Sequence, residues 1–270
     1  MKEISIDEQK KILLEMLQYV DDVCRKNNLK YFLYAGTLLG AIRHKGFIPW
    51  DDDVDICMPM KDYKRLIKIM IEENKYYVHS PYDDKNYYYF FTKITDKRTV
   101  LIDDKFKKIE NAGLFLDIFP IYNLPNSDIE INEFICKIKK LEKTYFRHYG
   151  LQNYYDDTNI FKKIIKSIIY FPELFFKSGI KANKYKILKL MEKYENQETK
   201  YIGSVVPPCS AKSVFRKEIC ESALNVEFEK HKFYAPIGYE EFLTNMYGDY
   251  MTPPPENERI MPHNCKIYLI

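Results

Sequence analysis

The sequence has few of the features that mark a secreted, membrane-spanning or zinc-binding protein. Its six cysteines form no Cys-x-x-Cys pair and no zinc-ligand spacing. No run of about 18 apolar residues occurs, so no transmembrane helix is predicted. The N-terminus opens on a charged helical pattern and has no apolar signal-peptide core. These absences predict a cytoplasmic protein whose cysteines are reduced thiols.

A strong charge of either sign is also missing. The 42 basic and 39 acidic residues leave a formal net charge of +3. This balance gives no support for nucleic-acid binding, which usually needs a concentrated basic face, and no nucleic-acid partner is expected. The chain also shows no internal repeat, low-complexity tract or flexible linker. Because 270 residues can bury a substantial core, we expect one continuous domain over residues 1–270.

The most informative feature that is present is an acidic run at residues 51–55, in which four of the five residues are aspartates. Its continuation alternates charged and apolar residues, which predicts a strand with Asp53 and Asp55 on one face. Two bare carboxylates about 4 Å apart would repel by roughly 4 kcal/mol at an effective dielectric near 20. A divalent cation, a basic partner or a retained proton must offset that repulsion. We favour a magnesium site that handles phosphate over the alternative, a solvated acidic loop.

A glycine turn lies upstream of the acidic run. Gly36-Thr37 can turn the backbone sharply after a short strand at residues 31–34 and begin a helix over residues 38–43. A turn of this kind lets backbone amides approach a phosphate, and its position before the carboxylate strand strengthens the metal and phosphate interpretation.

A third carboxylate is predicted in the most apolar strand of the sequence, residues 113–120, where Asp117 is the only charged residue. An aspartate inside such a run is costly unless it is paired or coordinates a ligand. We interpret Asp117 as part of the same acidic site, and a buried hydrogen-bonding aspartate is the alternative.

Helical and strand patterns fill the rest of the chain. Ser5 is a predicted N-cap, and an apolar stripe with helical spacing follows it. Pro59 precedes a second helix with its own stripe. The stripe residues are Ile12, Leu13, Met16, Leu17, Val20 and Cys24 in the first helix, and Tyr63, Leu66, Ile67, Met70 and Ile71 in the second. Further strands are predicted at residues 76–78, 87–94 and 99–102.

The second half of the sequence has a mainly helical pattern from about Ser127. Residues 160–177 alternate paired apolar residues with lysines. This segment is either an interfacial helix on anionic lipid or an amphipathic helix packed on the core, and we favour the second interpretation. Near the C-terminus, residues 247–251 precede three prolines. This block either closes a cleft, with Arg259 and His263 as contacts, or clasps the core, which we favour.

At this point the sequence resembles the LicD family, which includes bacterial phosphocholine transferases and relatives similar to the fukutin-related proteins. Five blocks carry the resemblance in the expected order: residues 34–44, 46–56, 93–96, 115–120 and 247–254. The resemblance implies an α+β fold, with a nucleotidyltransferase-type mixed, twisted sheet flanked by helices and a mainly helical C-terminal half. Residues 1–125 would form the nucleotidyltransferase-like core, and residues 126–270 the helical, acceptor-side and closing region.

The resemblance also implies roles for single residues. Gly36 and Thr37 match the nucleotide-phosphate turn of the family, although Thr37 stands where the wider superfamily has Ser or Gly. The acidic residues match its metal-binding positions, with Mg2+ as the expected ion and Mn2+ as the alternative. These are the paired ligands Asp53 and Asp55, the third position Asp51, and the later strand carboxylate Asp117.

The implied reaction transfers a substituted phosphate from a CDP-linked donor, with CDP-choline favoured, to a sugar hydroxyl. The acceptor would be a cell-surface glycan or lipid-linked sugar, such as a lipopolysaccharide or teichoic acid precursor, and CMP would be released. Asp117 would accept the hydroxyl proton or bind a second metal ion. Arg43 and Lys93 are predicted phosphate contacts, with solvated surface charge as the alternative. An acceptor on lipid would place the protein at the inner face of the membrane, in peripheral contact through residues 160–177.

Three other functions remain open at the level of sequence. A true nucleotidyltransferase would direct its acceptor to the α-phosphorus and release pyrophosphate. A glycosyltransferase would use the Asp-x-Asp pattern to hold a nucleotide sugar, although the Gly36-Thr37 turn argues against it. A non-catalytic, cation-binding module at the membrane surface would keep its function after Asp53→Asn.

Overall fold

The computed structural model describes residues 1–84, 87–103, 109–155, 179–261, 263 and 265–270. The helices in these residues are α1 (Ile6–Lys26), α2 (Ala35–His44), α3 (Met60–Glu73), α4 (Asp128–Tyr155), α5 (Gly179–Met191) and α6 (Tyr239–Tyr247). The strands are β1 (Lys2–Glu3), β2 (Phe32–Leu33), β3 (Asp55–Pro59), β4 (Tyr77–His79), β5 (Thr92–Thr95), β6 (Thr99–Ile102), β7 (Phe115–Leu124), β8 (Tyr201–Gly203), β9 (Val214–Arg216), β10 (Ala223–Phe228), β11 (His231–Pro236) and β12 (Lys266–Leu269).

A mixed sheet of seven strands organises the molecule. Its central path runs β2-β3-β7-β5-β4, and β8 and β9 extend it from the far end of β7. The β3 and β7 strands are parallel, whereas β2 on β3, β5 on β7 and β4 on β5 are antiparallel. Two smaller sheets accompany it: β1-β12-β6 and the β10-β11 hairpin. The predicted mixed sheet with flanking helices is confirmed at this level.

The first helix forms as its sequence pattern predicts. The Ser5 side chain caps α1, and the Glu8 side chain accepts from the Ser5 backbone N–H, which completes a capping box. All six residues of the predicted apolar stripe are buried. Helix α3 also begins after Pro59, as predicted, but Ile71 of its predicted stripe is 45% exposed.

Two strand predictions need correction. The predicted strand over residues 87–94 is shorter, because ladder pairing begins only at Thr92, which lies opposite Ile118. The predicted strand ending at Pro120 continues to Leu124 as β7. The Asp117 N–H points toward β3, and successive residues of a strand point their N–H groups to alternate sides. An N–H at residue 120 would therefore point toward β5, at a position beyond Ile118, the last residue of β7 that pairs with β5. A proline there removes no ladder hydrogen bond.

The described part of the second half of the chain combines helices with strands. It contains α4, α5 and α6, but the described residues after 126 also include five strands, β8 to β12. The amphipathic segment at residues 160–177 lies outside the described residues. In the part of the chain that the structure describes, no helix has the length and apolar character needed to span a membrane.

Candidate active site

The sheet register brings three predicted site residues into one row. Asp55 on β3 lies directly opposite Asp117 on β7, and Lys93 on β5 lies opposite Asp117 from the other side. Paired residues on adjacent strands point to the same face of a sheet, so the three side chains share that face. Lys93 Nζ donates to both Asp117 carboxylate oxygens at 2.7 Å, and both residues are buried. Lys93 is therefore the ion-pair partner of Asp117.

The other two predicted carboxylates come from the loop before β3. Asp53 precedes the first ladder residue, Asp55, so the prediction that both lie within the strand is wrong for Asp53. The alternation nevertheless continues upstream of the ladder: residues 51, 53 and 55 are half-buried, and residues 52, 54 and 56 are buried. The Asp117 N–H also donates to the carbonyl of residue 54, which keeps the loop extended beside β7. The three odd-numbered carboxylates thus stay on one side.

The glycine turn holds this loop in place. Helix α2 begins directly after β2, and the Thr37 hydroxyl accepts the Asp55 backbone N–H at 2.8 Å. A Cβ atom on Gly36 would lie 2.5 Å from Asp51 Oδ2, so only glycine allows Asp51 to approach the turn this closely. The predicted turn and the predicted carboxylates therefore form one assembly.

A histidine from the C-terminal segment joins the acidic residues. His263 Nδ1 lies 3.1 Å from Asp52 Oδ1 and 3.6 Å from Asp53 Oδ2. One ligand atom from each of these three residues lies within 4.8 Å of the others, close enough to hold a metal ion together. Sequence reasoning named His263 but favoured a clasp for its segment, and it passed over Asp52. The run of three consecutive aspartates was the only local signal for Asp52.

The electrostatics of the cluster reflect crowded carboxylates. Burial, and then the charge of Asp53, raise the pKa of Asp51 to about 7. Burial also raises the pKa of Asp53. For Asp55, burial and the charges of Asp53 and Asp117 raise the pKa well above its ordinary range. Burial raises the pKa of Asp117 to about 6, although Lys93 acts in the opposite direction. Gathering these groups is costly unless protons or a cation compensate their charge.

The neighbouring carboxylates also shift the pKa of His263. Burial lowers it, but the hydrogen bond to Asp52 and the charge of Asp53 outweigh burial, so the pKa is raised. A protonated His263 adds positive charge beside the carboxylates, and a neutral one offers a metal ligand. The oxygen-rich donor set as a whole suits a hard divalent cation.

Arg43 at the end of α2 connects this helix to the C-terminal block at residues 247–251. Arg43 Nη1 donates to the Tyr250 carbonyl oxygen at 2.8 Å, and Arg43 Nε donates to His44 Nε2 at 2.9 Å. Tyr247, in the same block, lies within the electrostatic influence of the acidic residues. Desolvation, and then the charges of Asp55 and Asp51, raise the pKa of its hydroxyl. Arg43 thus anchors a segment that reaches the site.

The chain is similar in sequence to one protein family and to several known proteins. The family model described as LicD/FKTN/FKRP, nucleotidyltransferase domain, matches residues 28–151. The lipopolysaccharide cholinephosphotransferase LicD of Haemophilus influenzae is 32% identical over 275 residues, which cover 100% of both chains. The ribitol 5-phosphate transferase FKRP of Homo sapiens is 44% identical over 50 residues, 18% of this chain and 10% of that protein. An uncharacterised protein of Rickettsia typhi is 38% identical over 87 residues, 28% of each chain.

Proposed function

This chain belongs to the LicD family, and from that membership we propose that it transfers phosphocholine from CDP-choline to a sugar hydroxyl of a cell-surface glycan precursor, releasing CMP. The full-length relative is a lipopolysaccharide cholinephosphotransferase, which supports both the transferred group and the acceptor class. The observation that carries the chemistry is the row of Asp55, Asp117 and Lys93, with Asp51 and Asp53 beside it.

We further propose that Asp53 and Asp55, with Asp51, hold Mg2+, and that Mn2+ can replace it. The raised pKa values of these residues support a site that gains stability when a cation balances its charge. Asp52 and His263 offer further ligand atoms close to Asp53. When bound, such a cation stabilises negative charge on the donor diphosphate and on the leaving CMP.

Asp117 is the proposed acceptor of the hydroxyl proton. The acceptor oxygen forms a bond to the choline-bearing phosphorus, the bond from that phosphorus to the bridging oxygen breaks, and CMP leaves with that oxygen. The hydroxyl proton passes to Asp117, which must be ionised to accept it. Lys93 supports that state, because its charge and its two hydrogen bonds oppose the rise in the pKa of Asp117 that burial causes, and the hydrogen bonds orient the carboxylate. We therefore assign Lys93 to positioning Asp117, in place of the predicted phosphate contact.

The glycine turn would bind the donor phosphates. Amides at the start of α2, around Gly36 and Thr37, can donate to phosphate oxygens, as helix N-termini commonly do. Because the Thr37 hydroxyl already accepts from Asp55, its role in this scheme is to orient the strand rather than the ligand. Arg43 anchors the Tyr247–Tyr250 block against α2.

The test incubates the protein with a panel of CDP-alcohols, Mg2+ and glycan acceptor, and measures CMP. We expect CMP release from CDP-choline, and a loss of about 100-fold or more for Asp53→Asn without loss of fold, since a mispositioned cation removes most of the electrostatic stabilisation. Asp22→Asn, an exposed aspartate on α1, is the matched control and should retain activity. Pyrophosphate release would instead indicate nucleotidyl transfer, and full function in Asp53→Asn would indicate a non-catalytic module.

A further inference from the structure

Three aromatic rings lie beside the Asp117–Lys93 pair. Phe119 is two residues beyond Asp117 on β7, so both side chains point to the same face of the sheet. The Phe91 ring stacks on Phe119 with centroids 4.4 Å apart, and the Tyr89 ring lies 4.9 Å from Phe91. We call Tyr89, Phe91 and Phe119 the aromatic face.

The rings of the aromatic face pack against the core, but they are less completely buried than the ring of Phe90 beside them. Tyr89 and Phe119 are half-buried, and Phe91 is 8% exposed. In contrast, the neighbouring Phe90 is fully buried and packs edge-on against Tyr145 at 5.0 Å. The chain thus places one ring of this segment in the core and leaves its neighbours near the acidic site.

The surroundings of the aromatic face suit a cation. Lys93 Nζ lies 5.1 Å from the Tyr89 ring centroid and 5.3 Å from that of Phe91, and its positive charge is balanced by its two hydrogen bonds to Asp117. The carboxylates of Asp117 and Asp55 occupy the next row of the same face. Aromatic faces and nearby carboxylates together favour a cationic group.

A quaternary ammonium fits this environment better than a primary one. It has no N–H to donate, so it cannot be held by hydrogen bonds to a carboxylate, and aromatic faces are its usual partners. In CDP-choline, an oxygen and two carbons separate the ammonium from the phosphorus. Rows on one face of a strand are about 6.6 Å apart, so a phosphate at the carboxylate row can place its ammonium near Phe119.

We propose that the aromatic face binds the quaternary ammonium group of the donor and selects a choline-bearing phosphate over one without a cation. This inference rests on the proposed function, because it needs a CDP-linked donor at the carboxylates. Tyr89 and Phe119 are the specificity-determining residues, and Phe91 supports both rings from between them.

The experiment compares CDP-choline with CDP-glycerol, which carries no cation, using the full chain with Mg2+. For Phe119→Leu and Tyr89→Leu, we expect the ratio of kcat/KM for the two donors to shift against CDP-choline by about 5- to 30-fold. Phe119→Tyr keeps a ring and should retain the wild-type ratio. Phe90→Leu is the matched control: it removes a buried ring from the same segment and should leave the ratio unchanged even if it lowers the melting temperature.

An unchanged donor ratio in both leucine variants would overturn the inference, since the rings would then serve the nucleoside or the fold alone. Calorimetric binding of both donors separates this failure from failure of the proposed function. If the wild-type protein binds CDP-choline in a ring-dependent way but releases no CMP, the aromatic site is supported and the proposed reaction is overturned. If the wild-type protein releases CMP from CDP-glycerol but neither binds nor turns over CDP-choline, phosphate transfer is supported and the aromatic site is overturned. A wild-type protein that binds neither donor overturns both.

Discussion

Replacing Lys93 by methionine tests the ion pair that organises the site. Lys93 Nζ and Asp117 lie 2.7 Å apart, and their side chains are only 3% and 6% exposed. Methionine keeps an unbranched apolar stem but removes the ammonium, which lies 3.6 Å from the Phe115 ring centroid, and so leaves the buried Asp117 without its main cation. Removing one partner of a buried pair costs about 3–5 kcal/mol. Folded proteins are stable by only about 5–15 kcal/mol, so we expect a severely weakened fold.

Urea denaturation at neutral pH, with a chelator present, measures this cost as a lower midpoint at unchanged slope. Lys68→Met is the matched control, because Lys68 pairs with Glu72 at 3.9 Å on the surface, where the Lys68 side chain is 79% exposed. That substitution should cost less than about 1 kcal/mol. Adding Asp117→Asn to Lys93→Met should recover part of the loss, because the isolated buried charge is removed. The reasoning is refuted if Lys93→Met costs no more than the control, or if the two losses simply add.

Two further predictions concern the turn and a buried lysine. Gly36→Ala should lower kcat/KM by about 10- to 100-fold, because the new Cβ displaces the Asp51 carboxylate. Stability should stay equal or rise, because alanine is favoured over glycine in a helix. Activity and melting temperature measured together check this prediction, and a fully active variant would contradict it. Burial lowers the pKa of Lys184 to about 8, below its value of about 10.4 in the unfolded chain. At pH 7 the buried charged lysine therefore lowers the free energy of unfolding, and this loss disappears as the pH rises from 8 to about 10.4. Wild-type stability should therefore rise relative to Lys184→Met between pH 7 and pH 9.5 in urea titrations, and a constant difference would contradict the shift.

The parts of the site that sequence could predict are those with a local signal. Asp117 is a lone charge in an apolar run, and such a residue must have a partner or a ligand. Asp55 follows from strand alternation. The N-cap at Ser5 and the stripe of α1 are equally local, and both were confirmed.

The parts that sequence could not predict depend on distant pairing. Lys93 meets Asp117 only because β5 and β7 adopt one particular register, which no local pattern encodes. His263 reaches Asp52 across most of the chain, in a segment whose prolines and charges favoured a clasp. Asp53 was predicted inside the strand because alternation cannot tell where ladder pairing begins. The strands after residue 200 were not predicted, because strands of three to six residues have weak periodicity.

The parallel pairing of β3 with β7 means that the acidic site forms only when two distant parts of the chain come together. Helix α3 and strands β4, β5 and β6 all intervene between the two segments that supply Asp55 and Asp117. No short fragment holds both carboxylates, so a partly assembled chain has no competent cleft, and long-range contacts of this kind form slowly. For the proposed reaction, binding of the donor therefore requires that β3 and β7 are already paired.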